Sequence, residues 1–227
     1  MKTHPAVRSA LFVITIGALA VPSVGGVQEK FSKRDARDYI KAAEKAIEEG
    51  DPAKAAGLYL TVLNSFPERG DIRFEVARIN KDLEEWDYMT KSYAAAVDYL
   101  EDPAQIAECW ESMAMGYVRL ANYPQAVEAG RKAVELNPSS AQSHVDLALG
   151  LAKTGQIIEA AEVAQKGLEL APDNGFAHST VGEAALAEGN LKLAESSFRR
   201  ALELDAGNGG AHAGLAEILY EGGDYAG

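Results

Sequence analysis

Three histidines invite a metal. His144, His178 and His212 are separated by 34 residues each time, and neutral imidazole is the commonest metal ligand in proteins. A structural zinc needs about four donors converging on one ion at roughly 2.0–2.3 Å. Equal spacing argues against convergence. It puts the three rings at one position of a repeated unit, and stacked helical units are displaced by about one helix diameter, on the order of 10 Å. The histidines therefore read as packing residues. Cys109 is the sole cysteine, so no disulfide can form within the chain, and no CxxC or CxxCH pattern exists for zinc or haem. It is expected to be a small, partly buried apolar residue on a helix. The alternative is an intermolecular disulfide or a reactive thiol.

Other catalytic chemistry is not signalled. The sequence contains no HExxH, no GxSxG, no Walker-type glycine loop and no GxGxxG after a strand. Carboxylates are plentiful, but Glu44, Glu48 and Glu49 lie beside Lys41 and Lys45, the mark of a solvated helix face. No catalytic residue, metal or cofactor is expected, and these residues are not read as an enzyme. The formal net charge of -12 speaks against nucleic acid, whose phosphates need a basic face.

The elements beneath these residues are helices. Apolar residues make up 47% and charged residues 25%, ordinary for a soluble globular chain. The lean towards Ala, Leu and Glu favours helix, because these side chains lose little rotamer freedom there. The period of 34 recurs beyond the histidines. Ala194, Phe198 and Ala201 form an Ala-x3-large-x2-small mark. Ala126, Gly130 and Ala133 repeat it before Pro138, Ala160, Ala164 and Gly167 before Pro172, and Ala55, Tyr59 and Val62 before Pro67.

On these residues the chain resembles the tetratricopeptide-repeat (TPR) family, whose period is 34. The resemblance implies an all-α fold, a right-handed α-solenoid of stacked helix-turn-helix hairpins. The TPR domain is expected over 36–227. Its units fall at 36–69, about 72–105 (degenerate), 107–140, 141–174, 175–208 and 209–227 (incomplete). The degenerate unit is read with an Asp87-Tyr88 helix start, Lys91 where the small alanine belongs, one extra residue, and Pro103 as terminal proline. Turns are expected at Glu49-Gly50-Asp51, Thr154-Gly155-Gln156, Glu188-Gly189-Asn190 and Gly222-Gly223-Asp224, where glycine supplies the left-handed conformation that ends a helix. Each hairpin leaves an apolar face bare, which only the next hairpin covers. The histidines sit where the family often has tryptophan, as at Trp110.

First helices line the concave groove in this family, so the resemblance implies a partner-binding surface there. The candidate groove residues are Ile40 and Glu44, Val76 and Asn80, Glu111, Met115 and Arg119, Val145, Leu149 and Lys153, then Phe176 and Glu183. Apolar Ile40, Val76 and Val145 stand where a carboxylate clamp would want charge, so that subtype is not expected. A mixed, apolar groove suits an extended or helical segment of a protein or peptide partner. Each residue has the competing role of packing between first helices.

The first residues read as a targeting segment. Lys2 and Arg8 precede the apolar run 10–21 (ALFVITIGALAV), and Ala18-Leu19-Ala20 offers a cleavage site, the order of a secretory signal peptide over 1–20. The run is shorter than the ~20 residues needed to span a bilayer, so no stable membrane insertion is expected after cleavage. Residues 21–35 read as a linker. Export to a periplasm is expected, with secretion or an uncleaved N-terminal anchor as alternatives. The chain stops as a sixth second helix should begin. It is read as a piece of a longer chain, or as presenting a last face for a partner or for self-association. The leading function is an exported scaffold for protein–protein interaction. The alternative is the TPR portion of a larger envelope enzyme, a peptidase or transferase.

Overall fold

The computed structural model describes residues 31–221. The signal-peptide reading of 1–20, most of the linker and the turn at Gly222-Gly223-Asp224 lie outside the described residues. Those residues form eleven helices and no strand. They are α1 (Lys33–Glu48), α2 (Pro52–Ser65), α3 (Gly70–Asp82), α4 (Trp86–Val97), α5 (Pro103–Arg119) and α6 (Tyr123–Leu136). They continue as α7 (Ala141–Lys153), α8 (Ile157–Leu170), α9 (Gly175–Ala187), α10 (Leu191–Leu204) and α11 (Gly209–Glu221). Successive helices pack as antiparallel hairpins, and each second helix also packs on the first helix of the next hairpin. The fold is an all-α solenoid of helical hairpins.

Local chemistry sets the boundaries. Ser32 opens α1 with a capping box, its hydroxyl accepting from the Asp35 amide while the Asp35 carboxylate accepts from the Ser32 amide. Asp51, Asp102, Ser140, Asn174 and Asn190 cap α2, α5, α7, α9 and α10 by accepting backbone N–H bonds. Between the two helices of a hairpin one residue takes positive φ: Gly50, Glu84, Ala121, Gly155 and Gly189. Three are glycines, as the sequence signals. Glu84 (φ 57°) and Ala121 (φ 55°) hold the same turn without glycine, a conformation that costs an L-residue about 1–2 kcal/mol.

These five residues give the register of the repeat. Their separations are 34, 37, 34 and 34 residues. The irregular step falls between Glu84 and Ala121, and it lengthens α5 to 17 residues against 13 for α3, α7 and α9. Pro103 does not end α4. It stands in the first turn of α5, behind the Asp102 cap, where its missing N–H costs nothing. The second hairpin also begins earlier than its sequence frame. Met89, Tyr93 and Ala96 lie 34 residues beyond Ala55, Tyr59 and Val62, and all six are buried. Met89 therefore holds the place of the small alanine. Lys91 is exposed and pairs with Asp87 at 2.6 Å.

The core runs along the seam between first and second helices as linked clusters. Tyr93, Met89 and Phe74 anchor one with Cys109 and Met113. Phe198 anchors another with Ala185, Ala194, Ala201 and Ala211. Gly116 faces Met89 and Thr90, and a Cβ there would overlap both side chains. Glycine at that point makes room for the larger Met89. Cys109 is fully buried, and burial pushes its thiol up to about 12, which keeps it protonated and unreactive.

Candidate functional site

The inner wall of the solenoid follows from which helices touch. First helices pack closely on their neighbours along α3–α5–α7–α9–α11, whereas the backbones of successive second helices stand further apart, α6 and α8 being bridged by the Arg131–Glu159 ion pair at 2.6 Å. The first helices are thus crowded on the inner side, and the second helices fan out behind them. Polar contacts between successive first helices mark that wall. Arg78 reaches Glu108 at 4.0 Å and the Lys81 ammonium donates to Ser112 Oγ at 3.1 Å, both from α3 to α5. Ser143 Oγ on α7 donates to Glu111 Oε1 on α5 at 3.0 Å, and Asn137 Nδ2 donates to the same oxygen at 2.9 Å. Arg119 stacks over Trp86 at 5.8 Å.

The sequence-predicted groove residues divide into three groups. Glu44, Arg119 and Lys153 are exposed. Ile40, Glu111, Met115, Leu149, Phe176 and Glu183 are half-buried. Of these, Ile40, Met115 and Phe176 also pack against core clusters, and Leu149 packs against none. Val76, Asn80 and Val145 are buried, with exposures of 4%, 2% and 5%. Val76 belongs to the core shared with α1 and α2, and Val145 to the core shared with α8 and α9. These three are packing positions and offer a partner no accessible surface.

Register explains the first two. Residues 34 beyond Ile40 and Glu44 are Phe74 and Arg78. Arg78, with Lys81 one turn on, carries the polar contacts to α5. Counting from the Asp87-Tyr88 start displaced the second hairpin by two residues and turned Val76 and Asn80 towards the wall. The 34-residue step from Tyr59 to Tyr93 was the signal that fixes the register. Val145 has a different cause. It is in register with Glu111, but the small Ala164 and Gly167 of α8 let α7 sink onto that helix; a Cβ at Gly167 would lie 3.3 Å from Val145 Cγ2.

Two clefts open among the described residues of the wall. One, of roughly 530 Å³, is lined by Lys81, Glu108, Glu111, Leu136 and Asn137 with Pro103, Ala104 and Ala107. The other, of roughly 580 Å³, lies between α7, α9 and α11. Lys153, Glu183 and Glu217 are its charged residues, Leu186 and Phe198 are its large apolar ones, and Gly209, Gly210, Ala213 and Gly214 line it without bulk. Sequence reasoning did not single out Glu217, Gly210 or Ala213. They lie 34 residues beyond Glu183, Phe176 and Ser179.

Two carboxyls on the wall are perturbed. Burial pushes Asp146 up to about 6, Glu111 acts in the same direction, and the hydrogen bond from Gln142 (3.0 Å) and the charge of Arg119 act against it. Burial also raises Glu183, opposed by Lys153. The histidines serve their own helices. His144 Nδ1 lies 2.9 Å from the Ser140 carbonyl, His178 Nε2 3.0 Å from that of Pro172 and His212 Nε2 3.0 Å from that of Ala206, each in position to donate. Among the described residues no three His, Cys, Asp or Glu side chains are grouped to hold a metal ion.

The hairpin fold is shared with proteins already solved. The chain is similar to YrrB, described as a TPR protein with an unusual peptide-binding site, with a TM-score of 0.68 and 18% identity over 82% of this chain and 94% of that one. It is similar to MamA, with a TM-score of 0.65 and 22% identity over 75% and 92% of the two chains. It is similar also to MamA 41-end from Desulfovibrio magneticus RS-1, with a TM-score of 0.63 and 15% identity over 81% and 99%. At these identities the likeness is one of fold. No curated protein matches the sequence. Tetratricopeptide-repeat profiles match residues 112–175 and 185–227. The chain carries tetratricopeptide repeats, folded as the hairpin solenoid that such repeats build.

Proposed function

We propose that this protein is an exported scaffold that holds an extended or helical segment of a protein partner along the inner wall of its first helices. The observation that carries the reading is the wall itself. It presents two clefts, a half-buried Leu149 outside every core cluster, and the cations Arg119 and Lys153, neither of which forms an ion pair among the described residues. Groups left solvated and unneutralised on a rigid, recessed surface suit recognition of a segment that supplies their partners. YrrB, whose description includes a peptide-binding site, lends support by its similar fold.

Selection of random decapeptides on the immobilised full-length chain tests this reading. Leu149→Lys alters the wall at a half-buried position outside every core cluster. Capture is expected to fall at least tenfold while the helical circular dichroism stays unchanged. Equal capture by both proteins would sink the proposal.

Export rests on the order of basic, apolar and small residues over 1–20. Expressed in a bacterial host, the protein is expected in the periplasmic fraction with Val21 as its first residue by mass spectrometry. Retention in the cytosol with Met1 and the apolar run intact would overturn it.

A further inference from the structure

We infer that the cleft between α7, α9 and α11 is a subsite for a basic side chain, arginine or lysine, of the bound segment. This rests on the reading of the inner wall as a peptide-binding surface and names what one part of that wall selects. Two carboxylates, Glu183 and Glu217, line the cleft against a single cation, Lys153. Neither carboxylate makes a hydrogen bond or an ion pair among the described residues, although Glu183 is half-buried. Lys153 acts on Glu183 through its charge but comes within ion-pair distance of no carboxylate among the described residues. A half-buried carboxylate without donors is costly, and a guanidinium or ammonium entering the cleft supplies them.

The shape agrees with the charge. Ala213 is small and exposed on this side of α11, so a long side chain of a bound segment can enter between α9 and α11. Leu186 and Ala187 of α9 and Ala213 of α11 give an apolar surface for the methylene stem of an arginine or lysine, whose charged end meets the carboxylates. The other cleft lacks this character. There Glu111 already accepts from Asn137 and Ser143, and Glu108 faces Arg78. The formal charge of -12 adds long-range attraction for basic segments.

Two pooled libraries of fluorescein-labelled decapeptides test the inference, random except at a central residue that is arginine in one and the neutral isostere citrulline in the other. The full-length protein is expected to retain the arginine library about tenfold or more over the citrulline library, the size of a charge-assisted hydrogen bond. Glu183→Gln with Glu217→Gln is expected to erase that preference. So is Ala213→Trp, which fills the cleft from an exposed position. Glu162→Gln with Glu169→Gln removes the same charge from exposed positions of α8 and is expected to leave the preference intact. Two results leave the groove standing but overturn the subsite: equal retention of the two libraries, or a preference that survives both cleft variants. A preference lost equally in the α8 variant also overturns it, by reducing it to bulk charge. Failure to retain either library overturns the groove reading itself. Melting curves confirm that each variant is folded.

Discussion

The hairpins from α3 to α6 and those from α7 to α11 solve one packing problem in two ways. In the first region a large Met89 fills the alanine position and Gly116 recedes to admit it, and the turns at Glu84 and Ala121 run without glycine. In the second region the alanine position keeps Ala160 and Ala194, glycine makes the turns at Gly155 and Gly189, and the repeat holds its 34-residue step. Phe198 is the large group there, enclosed by Gly182 and Gly214. The comparison teaches that a repeat position has no fixed residue size. It has a fixed sum of sizes across the seam, because protein interiors are close-packed. The same holds for charge. Glu111 is taken up by its neighbours in the first region, and Glu183 is left open in the second.

Four expectations would break or sharpen this comparison. Phe198→Ala removes a fully buried ring whose glycine neighbours cannot move in to replace it, and urea denaturation is expected to show a loss of about 3–5 kcal/mol. Next come the glycines themselves. Gly214→Ala sets a methyl into the Phe198 ring, and Gly182→Ala sets one 2.7 Å from it. Each is expected to cost about 1–3 kcal/mol. Gly116→Ala meets the flexible end of Met89 but also the stiff, buried Thr90 Cγ2 at 2.6 Å, and is expected to cost a similar amount. A larger loss at Gly116 would show the first region to be the more rigid.

The third concerns Asp146, at the α5–α7 boundary between the regions. Its folded carboxyl is raised from 3.8 to about 6, so the folded state holds the proton more tightly than the unfolded chain. The stability this contributes is present below about pH 4 and is lost as pH rises to about 6 and above. Asp146→Asn is expected to flatten that slope and to stabilise the protein at pH 7.5 by about 1–3 kcal/mol relative to pH 4. Denaturation at the two pH values measures it, and parallel curves for both proteins would refute it.

The smallest effects lie in the turns. Glu84→Gly and Ala121→Gly are each expected to raise stability by up to about 1 kcal/mol by relieving positive φ, and Gly155→Ala to lower it by a similar amount. A calorimetric melt resolves the three. Loss of stability on introducing glycine would mean that unfolded-chain entropy outweighs the strain.

Much of this was legible in the sequence. The 34-residue recurrence of His144, His178 and His212 and the Ala126, Ala160 and Ala194 marks identify hairpins, because helix packing demands small residues at repeating contacts. The candidate wall was half-legible. Leu149, Lys153, Arg119 and Glu183 follow from counting within regular units. Arg78 and Lys81 did not, because the second unit lacks its marker glycine. Val145 was misplaced for another reason: burial depends on the partner helix as well as on position within the repeat.

What the sequence determined by itself is the period, the helical hairpins and the small residues at their seams. These are local properties of spacing and side-chain volume. Only the tertiary structure decided which glutamates are spent and which are open. Glu108, Glu111, Glu183 and Glu217 are chemically alike, and their difference lies in neighbours brought from other hairpins: Arg78, Asn137 and Ser143 for the first pair, and a cleft floored by Gly210 and Gly214 for the second. Hydrogen bonding and desolvation act over a few ångströms of space, and residues 26 to 34 apart in the chain become neighbours only once the hairpins stack.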